Sequence, residues 1–341
     1  MHIQSDVSLK KYSTMRLGGK AKYLTDITDV HDIPNAYEWA ATKKLPIVMI
    51  GGGSNIIWSD KGFDGLVLVN KLKGISFTKV NDEITYVQVS SGEDWDAFVA
   101  KTVEAGLSGI EALSLIPGSV GATPVQNVGA YGQEIADTLV SIDAYDTHKK
   151  AFVTILAEQC KFGYRTSRFK TSDRGRFLIT SLKFQLTTEP PKPPFYPAVQ
   201  KVLDEQKITK YSPQIIRDTV IDIRSNKLPN PKNIANNGSF FANPIVPVDS
   251  YEKLKDKYSD IPGWPTKDGM IKIPAAWLIE KAGFKNFHDK QTGMATWHLQ
   301  PLVLVNEKAT HTADLLIFRD RIIKDVHLTF GITLEQEPEL I

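Results

Sequence analysis

The stretch IPGSVGATPVQNVGAYG, residues 116–132, holds four glycines and two prolines in seventeen residues and carries no charged side chain. Exposed loops are ordinarily more polar than this. Main chain with so much freedom and so little to solvate it is main chain packed closely against something flat or phosphate-like, the alternative being a loop buried in the protein itself. Gln126, Asn127 and Tyr131 are the polar groups it can turn toward a ligand. A second glycine stretch, GGGSN at 51–55, follows the apolar run PIVMI at 46–50. Gly51, Gly52 and Gly53 let successive N–H groups point into one concavity, and Ser54 and Asn55 can donate to an anion, which suits a diphosphate. It matches neither the G-x-G-x-x-G fingerprint nor a Walker loop, and alone it also reads as a plain tight turn.

Around these stretches the pattern alternates between periods. Residues 30–44 read as a helix, and 46–50 as a buried strand. Alternating runs near 66–69, 75–80, 84–90, 139–145, 152–156 and 177–186 read as further strands. Over 94–105, Trp95, Phe98, Val99 and Val103 share one helical face. The class is α+β. At 341 residues the chain exceeds the ~250–300 that one core usually serves, so more than one domain is expected. Five prolines in TTEPPKPPFYP, 187–197, fix φ and remove backbone donors, making this the linker candidate. The expected division is 1–190, in two parts of about 1–70 and 71–190, followed by a smaller α+β domain over 191–341. Beyond the prolines, Ser212-Pro213 opens a helix with Ile216, Val220 and Ile223 on one stripe. Helices also fit 274–282, closed by Gly283, and 313–328; a strand at 331–335 would lead into Glu335 and Glu337 on one face.

Charge narrows the partners. Lys and Arg number 41 against 39 Asp and Glu, net +2, which leaves no field for nucleic acid or an anionic membrane. The one cysteine, Cys160, cannot pair internally, and no run approaches the ~20 apolar residues that span a bilayer. The start lacks the apolar segment of a secretion signal, so the cytoplasm is the expected compartment. No H-E-x-x-H, Cys-x-x-Cys, G-x-S-x-G or calcium-loop spacing occurs, and no metal is expected.

Three polar constellations remain. KFGYRTSRFK, 161–170, places Tyr164 and Arg165 after a glycine, where an arginine can hold a carboxylate or phosphate with two parallel hydrogen bonds. RSNKLPNPK, 224–232, sets Arg224 and Lys227 ahead of NNGSFFANP, 236–244, where Ser239 precedes Phe240 and Phe241 at what can be the rim of an apolar pocket. TLEQEPELI brings the two glutamates. Each has a bland reading as well, as solvated turn, helix end or exposed strand.

In this order, GGGSN, IPGSVGATPVQNVGAYG, FGYRTSRFK, KLPNPK, NGSFFANP and LEQE resemble the UDP-N-acetylenolpyruvoylglucosamine reductase family, flavoenzymes of bacterial cell-wall synthesis, from about residue 8 onward. The likeness is to its longer form, in which an insertion near 187–211 carries a tyrosine loop. The resemblance implies an FAD-binding domain of the vanillyl-alcohol oxidase type (PCMH), with FAD held without a covalent bond, and a C-terminal domain that binds the UDP-sugar. NADPH would share the cleft in alternation, and a monomer is expected. Gly51, Gly52, Gly53, Ser54 and Asn55, with Pro117, Gly118, Ser119, Gly121, Ala122, Gln126, Asn127 and Gly129, would hold the cofactor. Arg165, Ser239 and Glu337 match catalytic positions. Tyr131, Tyr164, Tyr196, Lys227, Asn243 and Gln300 match substrate positions, Tyr196 by spacing with Tyr211 as the alternative. Ala242 departs from the lysine that relatives often carry there. The competing expectations are another flavin oxidoreductase of the same fold, or a UDP-sugar sensor without turnover.

Overall fold

The computed structural model describes residues 1–266 and 268–341. These form two compact units, and each is assembled from separated stretches of chain: Met1–Val7, Ala21–Gly53 and Phe63–Asn226 in the first, Ser8–Lys20, Ser54–Gly62 and Lys227–Ile341 in the second.

The first unit contains two sheets. One has the order Gln4–Ser8, Lys20–Ile27, Phe63–Asn70, Ile47–Ile50, in which the last three strands are parallel neighbours. Parallel neighbours need a crossover, and helix α1 (Asp32–Thr42) lies between two of them in sequence. Its Ile33, Ala36 and Ala40 are buried in one cluster with Leu66 and Leu68. The other sheet is antiparallel, ordered Ala151–Leu156, Leu139–Asp146, Phe177–Thr187, Ile84–Ser90, Ile75–Lys79. Helix α2 (Trp95–Glu104) joins its core through Trp95, Phe98, Val99 and Val103, the face that the sequence spacing indicates. Asp94 caps it by accepting the Ala97 N–H at 2.9 Å.

The proline-rich segment does not separate the units. Helices α3 (Pro197–Glu205) and α4 (Pro213–Lys227) follow it, and Val199, Leu203, Ile216 and Val220 pack with Ala112, Tyr131 and Phe195 in the first unit. Prolines stop a sheet or helix locally, but the apolar stripes after them decide where the chain docks, so the division falls after Asn226 instead of at 190/191.

The second unit is built on a sheet ordered Ala235–Ser239, Gln300–Asn306, Met294–Trp297, His288–Asp289. It also holds α5 (Val248–Lys257), α6 (Ala275–Ile279) and α7 (Thr312–Phe330). On α7, Leu315, Phe318, Ile322 and Val326 enter one core with Leu278, Ile279, Leu304, Phe240 and Phe241. Gly283 (φ 92°) ends the turn that continues α6, and Gly331 (φ 70°) ends α7. The strand expected at 331–335 is absent: Gln336 pairs with Phe241, and only Glu339–Leu340 forms a short strand, parallel to Ile56–Ile57. No helix among the described residues is long and apolar enough to cross a membrane.

Candidate functional site

In the first unit the two glycine stretches meet main chain to main chain. A Cβ on Gly51 would stand 1.9 Å from Ser119 Oγ and 2.9 Å from Ser119 Cβ, and one on Gly52 would stand 3.2 Å from the Gly118 Cα. Gly118 itself has φ +131°, which a side chain disfavours. The loop is then tied down by its backbone. Gly118 accepts the Trp95 N–H at 3.1 Å, while the Val120 and Gly121 N–H groups donate to Glu93 and Ser91 carbonyls at 2.9 and 2.8 Å. A fixed, side-chain-free surface of this kind fits a cofactor's diphosphate. Gly52, Pro117 and Ala122 are exposed, and Gly53 and Ser119 are buried.

The turn at 161–170 joins the same loop. The Ser167 hydroxyl donates to the Val125 carbonyl at 2.7 Å, and Arg165, held in the left-handed region (φ 54°), donates from Nη2 to the Gly129 carbonyl at 2.8 Å. Asn127 is buried, with its Nδ2 donating to Gly163 (3.3 Å) and its Oδ1 accepting the Ala136 N–H (3.2 Å), so its side chain pins the loop to this turn. Ion pairs brace the turn from behind: Arg168 with Asp173 at 2.7 Å, and Arg176 with Asp173 at 3.1 Å and Asp146 at 2.7 Å. The Arg176 guanidinium beside Asp146, helped by the His148 and Lys149 N–H groups, holds that carboxyl down to about 2. Tyr164 is exposed, with the Arg165 guanidinium 5.4 Å from its ring centre; Gln126 is half-buried in the loop.

Tyr131 projects from the turn between Gly129–Ala130 and Gln133–Glu134, with φ 50°. Its ring meets the exposed Tyr196 edge to face, centres 5.6 Å apart. Tyr211 instead packs on Phe195 at 4.8 Å, half-buried, so of the two tyrosines it is Tyr196 that stands beside Tyr131.

In the second unit, Ser239 ends the strand Ala235–Ser239 and is exposed, while Phe240 and Phe241 are wholly buried. The C-terminal segment runs alongside: the Glu337 N–H donates to the Phe240 carbonyl and the Ala242 N–H to the Glu335 carbonyl, both at 2.9 Å. Glu337 is buried at 8 % exposure and Glu335 is exposed, so the two do not share a face as an even strand would give. Asn55, half-buried, donates from Nδ2 to the Glu337 carbonyl at 3.3 Å. Asn237 donates to the Ser54 carbonyl at 3.0 Å and the Thr14 hydroxyl at 3.2 Å, linking the end of the GGGSN stretch to the strand that carries Ser239. Asn243 accepts the Ala275 N–H at 2.9 Å and so secures the start of α6. The Lys227 carbonyl accepts the Trp297 indole N–H at 3.1 Å, and Trp297 is the strand partner of Gln300. Within each unit, then, the expected residues gather: Gly51 to Gly53, the 116–132 loop, Arg165, Tyr131 and Tyr196 in the first; Ser54, Asn55, Ser239 and Glu337 in the second, with Lys227 and Gln300 about Trp297. Asn237, which lies in the NNGSFFANP stretch, is not singled out as a site residue, since only its contacts in the fold distinguish it from the other polar residues of that stretch.

Two family models match most of these segments, with Tyr164, Arg165, Tyr196 and Lys227 lying in the stretch between the two matches. Residues 21–149 match the FAD binding domain, and residues 230–341 match the C-terminal domain of UDP-N-acetylenolpyruvoylglucosamine reductase. The UDP-N-acetylenolpyruvoylglucosamine reductase of Pseudomonas putida is 39% identical over 337 residues, 99% of this chain and 98% of its own. The chain belongs to the UDP-N-acetylenolpyruvoylglucosamine reductase family. The reductase of Pseudomonas fluorescens is 38% identical over 340 residues, 100% of this chain and 99% of its own. The solved structure of the reductase from Thermus caldophilus shares the fold, with a TM-score of 0.67 at 21% identity over 100% of this chain and 99% of that one. As a member of the reductase family the protein is an FAD-dependent oxidoreductase of peptidoglycan precursor synthesis, and the expected pairing of a vanillyl-alcohol oxidase type FAD domain with a family-specific C-terminal domain is borne out.

Proposed function

We propose that the protein reduces UDP-N-acetylglucosamine enolpyruvate to UDP-N-acetylmuramate with NADPH as reductant, with Arg165, Ser239 and Glu337 as its catalytic residues. The observation that carries this reading is the pairing of the Ser239 and Glu337 segments through the Glu337–Phe240 and Ala242–Glu335 backbone bonds. It brings an exposed alcohol and a buried acid, far apart in sequence, onto neighbouring segments of chain.

Gly51 to Gly53 and the 116–129 loop would hold FAD, their close-packed main chain and lack of bulky side chains admitting its diphosphate. When bound, the cofactor supplies the hydride for C3 of the enolpyruvyl group. Charge then develops toward C2 and the substrate carboxylate. Arg165 would bind that carboxylate, and Glu337, protonated or bridged by water, would stabilise the same charge, an effect largest where water is excluded. Ser239 would give its proton to C2. A serine hydroxyl is a feeble acid, so short range to a strongly basic carbon must supply what acidity does not. Tyr164, Tyr196, Lys227, Asn243 and Gln300 would contact the nucleotide portions of substrate and NADPH. The enzyme is taken to act as a monomer in the cytoplasm, and size-exclusion chromatography of the holoenzyme checks the first of these.

Stopped-flow measurement of the two half-reactions tests the assignment. Ser239→Ala should leave flavin reduction by NADPH nearly unchanged and slow its reoxidation by the enolpyruvyl sugar by more than about 10²-fold, the lower range for loss of a general acid. Equal slowing of both halves would remove Ser239 from the proton-donor role.

A further inference from the structure

Gln336 stands between Glu335 and Glu337, half-buried, with both ends of its amide engaged. Its Oε1 accepts from Nη1 of Arg319 at 2.8 Å, and its Nε2 donates to the Pro338 carbonyl at 2.6 Å. Inventory fixes which end faces which. A guanidinium has donors only, so the amide must turn its oxygen to Arg319, and its NH₂ group is left for the carbonyl. Arg319 is itself held in place. It sits half-buried on α7 beside the wholly buried Phe318, and its Nε and Nη2 meet Asp320 at 2.8 and 2.7 Å.

The bond from Gln336 to Pro338 spans Glu337, so the amide closes a ring over the backbone of the buried acid. The rest of that backbone is tied as well. The Glu337 N–H donates to the Phe240 carbonyl at 2.9 Å, its carbonyl accepts from Asn55 Nδ2 at 3.3 Å, and the Glu339 N–H donates to the Asn55 carbonyl at 2.9 Å. Gln336 is also the bridge partner of Phe241, whose ring is in the core. Pro338 presses the residue before it toward extended backbone and has no N–H of its own to contribute. Its carbonyl is reached from the Gln336 side chain instead. The direction in which Glu337 presents its carboxyl follows from this backbone.

We propose that Gln336, its amide oriented by Arg319, is a positioning residue for Glu337: it locks the chain across 336–338 so that the acid is presented to the substrate in one direction. This rests on the catalytic role proposed for Glu337, through which Gln336 acts. Without the amide, the Pro338 carbonyl loses its donor and the turn around Glu337 can relax while the carboxyl itself remains. A shift of about 1 Å is then enough to cost up to a hundredfold in rate.

Stopped-flow half-reactions of the holoenzyme test this, with two variants. Gln336→Met keeps the length of the side chain and removes donor and acceptor together; Gln336→Glu keeps the Arg319 contact and sets an oxygen against the Pro338 carbonyl. Both should slow flavin reoxidation by the enolpyruvyl sugar by about 10- to 100-fold and leave flavin reduction by NADPH within about 3-fold. A merely structural role would leave Gln336→Glu unharmed, because its ion pair with Arg319 replaces what is lost. Added to Glu337→Gln, Gln336→Met should slow reoxidation by less than about 3-fold more, since the group it positions is already gone. Independently of turnover, hydrogen exchange at the Glu337 and Glu339 amides should quicken by about 5-fold in Gln336→Met, the worth of one hydrogen bond. Unchanged exchange, equal slowing of both half-reactions, or losses that multiply with Glu337→Gln would overturn the proposal. If Glu337→Gln alone leaves reoxidation unchanged, the catalytic reading of Glu337 fails instead, and the exchange rates still decide whether Gln336 holds that residue in place.

Discussion

Replacing Gly51 by alanine adds one carbon where the two glycine stretches touch. Gly51 is outside the left-handed region, so alanine meets no backbone strain there, and the whole effect is steric. The new Cβ would sit 1.9 Å from Ser119 Oγ and 2.9 Å from Ser119 Cβ. Swinging the hydroxyl away removes the first clash and leaves the second. Ordinary contact begins near 3.4 Å, so the two main chains must part by about 0.5 Å (3.4 less 2.9). Overpacking of this order costs about 1–3 kcal/mol. If the strain falls on the FAD-bound conformation, it weakens FAD by about 5- to 150-fold. Gly52→Ala is the milder case, because its Cβ would meet the Gly118 Cα at 3.2 Å and needs only about 0.2 Å (3.4 less 3.2).

Titration of stripped apoprotein with FAD, followed by quenching of flavin fluorescence, ranks the variants. The expected order of weakening is Gly51→Ala, then Gly52→Ala, then wild type. Ser119→Gly removes both clashing atoms and leaves the Ser119 nitrogen at 3.8 Å, an ordinary contact. Measured from Ser119→Gly alone, adding Gly51→Ala should therefore weaken FAD by less than about 3-fold. Wild-type affinity in Gly51→Ala, or the same loss with and without Ser119, would refute the idea that close approach of these two stretches shapes the cofactor site.

Two further outcomes follow from the geometry. Glu337→Gln should slow flavin reoxidation by the enolpyruvyl sugar by about 10²-fold or more, and Glu335→Gln should change it by less than about 3-fold, because only Glu337 is buried; stopped-flow traces reversing that order would move the role to Glu335. Asp146 contributes stability that is complete above its unfolded value near 3.9 and is lost as pH falls toward about 2, since its folded pKa is the depressed one. Its partner Arg176 is 24% exposed, which trims the roughly 2.5 kcal/mol ceiling to about 1–2 kcal/mol. Asp146→Asn should lower stability by that amount at pH 7 in urea titration and flatten the acid limb between about pH 4 and 2, and an unchanged acid limb would show that the pair carries no linkage.

What was legible in the sequence was what short range dictates. The α2 face of Trp95, Phe98, Val99 and Val103 follows from spacing alone, and Gly283 ends its helix because it needs a left-handed φ, whereas Gly331, expected to open a strand, proves to be the left-handed end of α7. The strands of the antiparallel sheet were likewise visible as alternating runs. What failed was long-range in origin. The prolines at 187–197 signal a local interruption, and nothing in them shows that Ile216 and Val220 will pack against Ala112. Segments 8–20 and 54–62 join the second unit through Met15, Leu17 and Ile57, which bear no mark of that destination. Glu335 and Glu337 could not be separated by alternation, because the segment is irregular there and burial is decided by what lies beside it.

The neighbours of Ser239 suit the proton-donor role proposed for it. Gly238 (φ 69°) lets the chain turn into Ser239, and the next two residues drive their rings fully into the core, centres 5.2 Å apart. Two buried aromatic anchors immediately after an exposed hydroxyl leave its backbone little freedom to shift. Backbone bonds from the Glu337 N–H to Phe240 and from the Ala242 N–H to Glu335 hold the same residues from the other side. The fold thus spends its rigidity at 240–242 and leaves Ser239 as the first position outside it. Loosening that anchor should harm the reaction even where the hydroxyl is kept, since for a donor of this acidity displacement by about 1 Å can cost as much as a hundredfold in rate.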